Sequence, residues 1–209
     1  MGNKTETALL VIDVQNDFCP GGALAVPEGD QVIDPINRLL PRFSAKVFTQ
    51  DWHPKPHTSF ASNHKNKEIY ENISLPYGEQ VLWPDHCVQG TSGAEFHKDL
   101  ITDQADLIIR KGFRKEIDSY SAFFENDRET STGLIGYLSS RNITKIVCAG
   151  LATDFCVYFS AVDAKKLGYQ VTVLLDASRA IDLDGSLDKA LGKMQSRGIV
   201  LTTTEELLS

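Results

Sequence analysis

The chain has 209 residues, 42% hydrophobic and 23% charged, with 21 basic against 28 acidic side chains and a net charge of −7. That balance excludes wholesale disorder and a generally basic nucleic-acid binder, and a chain of this length can bury roughly 70% of its unfolded surface in one sizeable core. No apolar run approaches the ~20 residues of a membrane span, and residues 1–7 are polar without the apolar stretch of a signal peptide, so a cytoplasmic protein is expected.

In chain order, the first apolar run covers residues 8–14, and others follow at 46–50, 106–110, 145–150, 170–176 and 199–202. They are rich in Val, Ile and Leu and mostly lack strict alternation, which predicts strands buried on both faces of a parallel sheet. Helical periodicity falls between them. Residues 30–43 place Val32, Ile33, Ile36, Leu39, Leu40 and Phe43 on one stripe. Residues 129–142 carry Leu134, Ile135 and Leu138. Residues 154–167 and 184–197 close at Gly168 and Gly198, as helices do. The alternation predicts an α/β fold: a doubly wound, mostly parallel six-stranded sheet with helices on both faces. One domain spanning 1–209 is expected. Residues 52–99 resist the pattern, being rich in His, Pro, Asn and Gly, and so long a connection is usually functional. Lys65, Lys67 and Glu68 read as a solvated loop, and Glu205 and Glu206 as a frayed tail.

Ligands in open α/β sheets bind beyond the carboxyl ends of the strands. At those ends stand Asp13, Asp51 with His53, Lys111, and Thr153, Asp154 and Cys156. Thr153 or Asp154 as a helix cap would put Cys156 in a first turn, where the helix dipole and a nearby ammonium favour a thiolate. A carboxylate could take the thiol proton, so Asp13, Lys111 and Cys156 make a sensible nucleophile set without histidine. Position alone equally allows Cys156 to be a buried residue of an apolar helix face. Asp51 and His53, two residues apart on extended chain, point the same way and suit a metal that takes N and O ligands. A third ligand is open among His57, His64, His86 and His97, and a lone Asp-x-His is also read as an exposed loop. None of the four cysteines, 19, 87, 148 and 156, forms a Cys-x-x-Cys pair, and in the cytosol all would be thiols. No strand is followed by a dinucleotide-binding glycine fingerprint or a P-loop.

Several longer motifs add to this reading. They are Leu10-Val11-Ile12-Asp13-Val14-Gln15-Asn16-Asp17-Phe18, Gly21-Gly22-Ala23-Leu24, Thr49-Gln50-Asp51-Trp52-His53-Pro54, Trp83-Pro84-Asp85-His86-Cys87-Val88-Gln89-Gly90-Thr91, Lys111-Gly112, Tyr120-Ser121-Ala122-Phe123 and Gly150-Leu151-Ala152-Thr153-Asp154-Phe155-Cys156-Val157. With them the chain resembles, nearly end to end, the nicotinamidase family of the isochorismatase-like cysteine hydrolases. The resemblance implies hydrolysis of nicotinamide to nicotinate and ammonia through a cysteine thioester, for NAD salvage, with pyrazinamide as a further substrate. It implies Asp13 as acid and base, Lys111 as the stabilising cation and Cys156 as nucleophile. It implies one divalent metal ion (zinc, iron or manganese) on Asp51, His53 and His86, contacting the pyridine nitrogen, with His57 outside that core set and a further metal position open to Ser59 or a water. Phe18, Leu24, Trp83 and Tyr120 would line the slot for the ring. The Leu151–Ala152 bond matches a cis peptide of the family, and the N–H groups of Ala152 and Cys156 would receive the oxyanion. The implied partner is a small amide, with no nucleic acid and no membrane, and superfamily members commonly associate as homo-oligomers. The segment 114–118 reads as an insertion-tolerant loop without assigned work.

Three other readings compete. Another amidase of the superfamily would keep the nucleophile set without the metal set. A binding module would need no activated thiol. A metal–water hydrolase would lose activity to chelators and ignore thiol reagents.

Overall fold

The computed structural model describes residues 6–209, so most of the polar stretch at residues 1–7 lies outside it. Six strands form one parallel sheet: β1 (Glu6–Ile12), β2 (Ala45–Asp51), β5 (Leu107–Lys111), β6 (Ile143–Leu151), β7 (Gln170–Arg179) and β8 (Val200–Thr202). Their spatial order is β5-β2-β1-β6-β7-β8, the doubly wound architecture expected from the alternation. The uninterrupted apolar runs find their reason here. Ala8, Leu10 and Ile12 of β1 enter one core layer while Leu9 and Val11 enter the other, so both faces are covered. Helix α1 (Ile33–Leu39) packs Ile33, Ile36 and Leu39 into one layer. Helices α2 (Leu134–Ser140), α3 (Tyr158–Lys166) and α4 (Ser186–Ser196) cover the other through Leu134, Leu138, Ala161, Val162 and Met194.

Four expected elements are altered. The helix predicted at 30–43 is α1 flanked by tight turns at Gly29–Val32 and Leu40–Arg42. Helix α2 starts five residues late, because Asp127 holds residues 129 and 130 in a turn by accepting from both backbone N–H groups. Ahead of α3, residues 153–157 form a wide π-helical turn, so Cys156 precedes the α-helix instead of standing in its first turn. The end of the chain is no frayed tail. Helix α5 (Thr204–Leu208) opens on a capping box, with Glu206 N–H donating to Thr203 Oγ1 and Thr203 N–H donating to Glu206 Oε2.

The 52–99 excursion carries a two-stranded hairpin, β3 (Asn72–Leu75) and β4 (Gly78–Val81), away from the main sheet. Two isolated parallel bridges, His53 with Val88 and Phe60 with Trp83, stitch the rest of it across the strand ends. They satisfy backbone groups that would otherwise be stranded where the loop is buried.

Candidate active site

Asp13 follows β1 with a left-handed backbone (φ 49) and no exposure. Thr49 Oγ1 donates to its Oδ1 at 2.5 Å, while its Oδ2 pairs with the Lys111 ammonium at 2.8 Å. Lys111, the last residue of β5, is fully buried. Its ammonium also donates to Asp51 Oδ1, to Ser119 O at 2.8 Å and to Cys156 Sγ at 3.3 Å. One cation therefore joins both carboxylates to the thiol.

The charges follow from that packing. Burial raises the Asp13 carboxyl to about 6, against the pull of Lys111 and with the push of Asp51. Burial would also raise Asp51, but Lys111 and the two imidazoles outweigh it and hold Asp51 well below the usual carboxylate range. Burial lowers Lys111, yet Asp13, Asp51 and Cys156 prevail and keep it protonated. Cys156 faces Lys111, which favours its thiolate, and Asp13, which can take its proton. Burial pushes its thiol up, and Asp13 and Asp51 add to this against Lys111, so the resting group is neutral and faces a base. Asp154 does not cap its turn: the carboxylate accepts from Ile181 N, Asp182 N and Ser186 Oγ instead.

Of the four histidines open as third ligand, His86 is the one that joins Asp51 and His53. The ligand atoms of these three lie within 4.8 Å of one another, all buried. His53 Nδ1 donates to Gly112 O and His86 Nδ1 to Pro84 O, both at 2.8 Å. A carbonyl can only accept, so each Nε2 is the nitrogen left to face Asp51, and these stand 3.5 and 3.8 Å from its Oδ2. Two oriented imidazoles and a carboxylate oxygen converging in a buried site fit a divalent cation, and the backbone carbonyls are the outer partners such ligands use. Gly112 cannot be replaced quietly, because its φ is +64 and a Cβ there would come within 2.4 Å of the His53 ring. His57 turns its nitrogens to Ser59 Oγ (2.7 Å) and Ile117 O (3.3 Å), and its ring lies against His53. Burial, with His53 adding, lowers His57 to about 4. His64 and His97 are engaged with Thr58 O and Asp99.

Phe18, Leu24, Trp83 and Tyr120 do come together, lining one cavity with Asp51, His86, Ala152, Cys156, Asp118, Phe155 and Ile181. The space between these walls is narrow. Trp83 meets Phe155 edge-on at 4.9 Å and Tyr120 at 6.3 Å. The Leu151–Ala152 peptide is cis.

Four residues escaped the sequence reading. Gln15 clamps the Asp51 backbone, donating to Asp51 O and accepting from Asp51 N, both at 2.8 Å. Asp118, in the loop left without work, is buried and reaches the cavity. Gln80 of β4 donates toward Asp118 Oδ2 (2.9 Å) and Tyr120 Oη (3.0 Å), tying the hairpin to the slot. Ile181 comes from the loop after β7. A buried polar residue in a polar loop gives no periodic signal, and only the motif position of Gln15 could have pointed to it.

The isochorismatase domain matches residues 7–206. The chain belongs to the isochorismatase family. Within that family it is 53% identical over 208 residues to a nicotinamidase of Acinetobacter baylyi, covering all of this chain and 97% of that one. A solved nicotinamidase/pyrazinamidase of Acinetobacter baumannii superposes with a TM-score of 0.96 at 52% identity, over 99% of this chain and 100% of the other. A pyrazinamidase of Pyrococcus horikoshii, solved in complex with zinc, superposes with a TM-score of 0.77 at 37% identity, over 95% and 99%. The isochorismatase-family fold thus runs the length of the described chain, and among its described residues no helix is long and apolar enough to cross a membrane.

Proposed function

We propose that this isochorismatase-family protein is a nicotinamide amidohydrolase that makes nicotinate and ammonia for NAD salvage and also accepts pyrazinamide. One observation carries the reading: the Lys111 ammonium touches Asp13, Asp51 and Cys156, and Asp51 and Cys156 line the same aromatic-walled slot as His86. Asp51, His53 and His86 would hold a divalent metal ion, which when bound supplies a Lewis-acid site for a ring nitrogen. Phe18, Leu24, Trp83 and Tyr120 enclose the flat ring, and the amide carbon meets Cys156.

Asp13 Oδ2 takes the Cys156 proton as sulfur attacks that carbon. Lys111, held between the carboxylates, offsets the negative charge arriving on the sulfur. The N–H groups of Ala152 and Cys156 receive the oxyanion. Asp13 returns the proton to the nitrogen, which leaves as ammonia, and a thioester remains. Water then attacks the thioester with Asp13 again as base, and the thiol is regenerated with release of the carboxylate. The neutral resting thiol suits this scheme, because deprotonation accompanies attack.

Ammonia release from nicotinamide by the metal-replete protein tests the reading. Cys156→Ala should lower turnover by at least about a thousandfold while leaving the circular dichroism spectrum unchanged. Substantial turnover in that variant would refute the nucleophile.

A further inference from the structure

The wall of the slot is not built wholly from the motifs that surround the chemistry. Ile181 stands apart from them, on the loop between β7 and α4, at the carboxyl end of the strand next to the nucleophile's own. It is an aliphatic, β-branched side chain, stiff at χ1, and offers no hydrogen bond to a ligand. What it contributes to so narrow a slot is shape.

The loop that carries it has an unusual backbone. Asp182, Asp184 and Gly185 all take left-handed conformations, with φ of 56, 50 and 72. Two of the three are not glycine, and such a backbone persists where its surroundings over-determine it. Leu187 N–H donates to Asp182 Oδ1 at 3.2 Å and Lys189 Nζ to Asp184 O at 2.9 Å, and one buried carboxylate ties the loop to the nucleophile's turn. Asp154, 4% exposed and two residues before Cys156, accepts Ile181 N–H at 3.1 Å, Asp182 N–H at 2.8 Å and the Ser186 hydroxyl. At its start the loop is tied by Arg179, which donates to Gln31 Oε1 at 2.8 Å. The turn that presents the nucleophile and the loop that presents Ile181 are thereby held as one piece.

We infer that Ile181 is a specificity-determining residue, setting which ring positions tolerate a substituent, and that Asp154 is the positioning residue that holds it against the slot. This rests on the nicotinamide reading. Rejection of one methyl group by a fixed apolar wall is worth roughly 10- to 200-fold. An asparagine at 154 keeps one acceptor oxygen but turns an NH₂ toward donors, so part of the latch is lost.

The experiment compares kcat/KM for nicotinamide and for nicotinamides methylated at the 4-, 5- or 6-position, using the metal-replete full-length protein. In Ile181→Ala the methylated-to-parent ratio should rise at least tenfold at one ring position. Asp154→Asn should raise the ratio at that same position, and Ser186→Ala should do so to a smaller extent, which keeps the latch testable if the Asp154 variant does not fold. A merely structural role would scale all four substrates together. Unchanged ratios in Ile181→Ala would overturn the specificity role. A raised ratio in Ile181→Ala alone would overturn the role of Asp154. A wild-type protein that releases no ammonia from nicotinamide would sink the functional reading and this inference together, whereas normal release with unmoved ratios sinks this inference only.

Discussion

Lowering the pH through about 6 protonates Asp13, since burial has raised its carboxyl that far from 3.8. A base works only while deprotonated, so kcat/KM for nicotinamide should fall about tenfold per pH unit below about 6, and a profile flat down to pH 4.5 would contradict the role. The stability sign runs the other way. A carboxyl raised on folding contributes stability below its unfolded value near 3.8 and loses it as the pH rises through about 6. Asp13→Asn should therefore be inactive without being less stable at neutral pH, which urea unfolding can check. Asp13, Asp51, His53, Lys111 and Cys156 were legible in the sequence because each follows or ends an apolar run, where a doubly wound sheet collects its chemistry. Asp118, Gln80 and Ile181 were not: Asp118 and Ile181 lie in loops and Gln80 in a four-residue hairpin strand, where nothing marks which residue turns inward. The remaining thiols behave as packing: burial pushes Cys19 up to about 11 and Cys148 up to about 12.

Strands and helices were read unequally. The six main strands were visible because both faces of a parallel sheet demand apolar residues. The β3–β4 hairpin was not, since Asn72, Gly78 and Glu79 are exposed and two short strands bury too little to leave a pattern. Helix α5 was missed because a five-residue helix has no periodicity, only a cap. Thr203→Ala removes the acceptor of that cap and should cost about 1 kcal/mol in urea unfolding. The turn after β5 places a demand of another kind. Gly112→Ala would drive a methyl into the His53 ring, so metal affinity should fall roughly 10- to 100-fold, as when a ligand's outer partner is lost. Retained zinc stoichiometry after dialysis against a weak chelator would contradict this.

Across the whole molecule, the proposed metal ligands and the sheet are one structure. Asp51 ends β2, His53 follows it, and His86 arrives through the excursion bridged to His53. An ion that binds only the assembled site stabilises the fold by mass action, about 2.7 kcal/mol at a hundredfold excess over Kd. Zinc added to metal-free protein should raise the melting temperature by roughly 5–10 °C, and His86→Ala should remove most of that rise. Lys111 is the hub of the site, yet it ends β5, which lies at the edge and, among the described residues, pairs on one side only, with β2 over five residues. Edge strands fray in local openings that leave the rest of a fold intact. The ammonium proposed to serve catalysis thus sits on one of the sheet's less protected strands, and gentle heating or denaturant should silence the chemistry while the central strands still guard their amide protons from exchange.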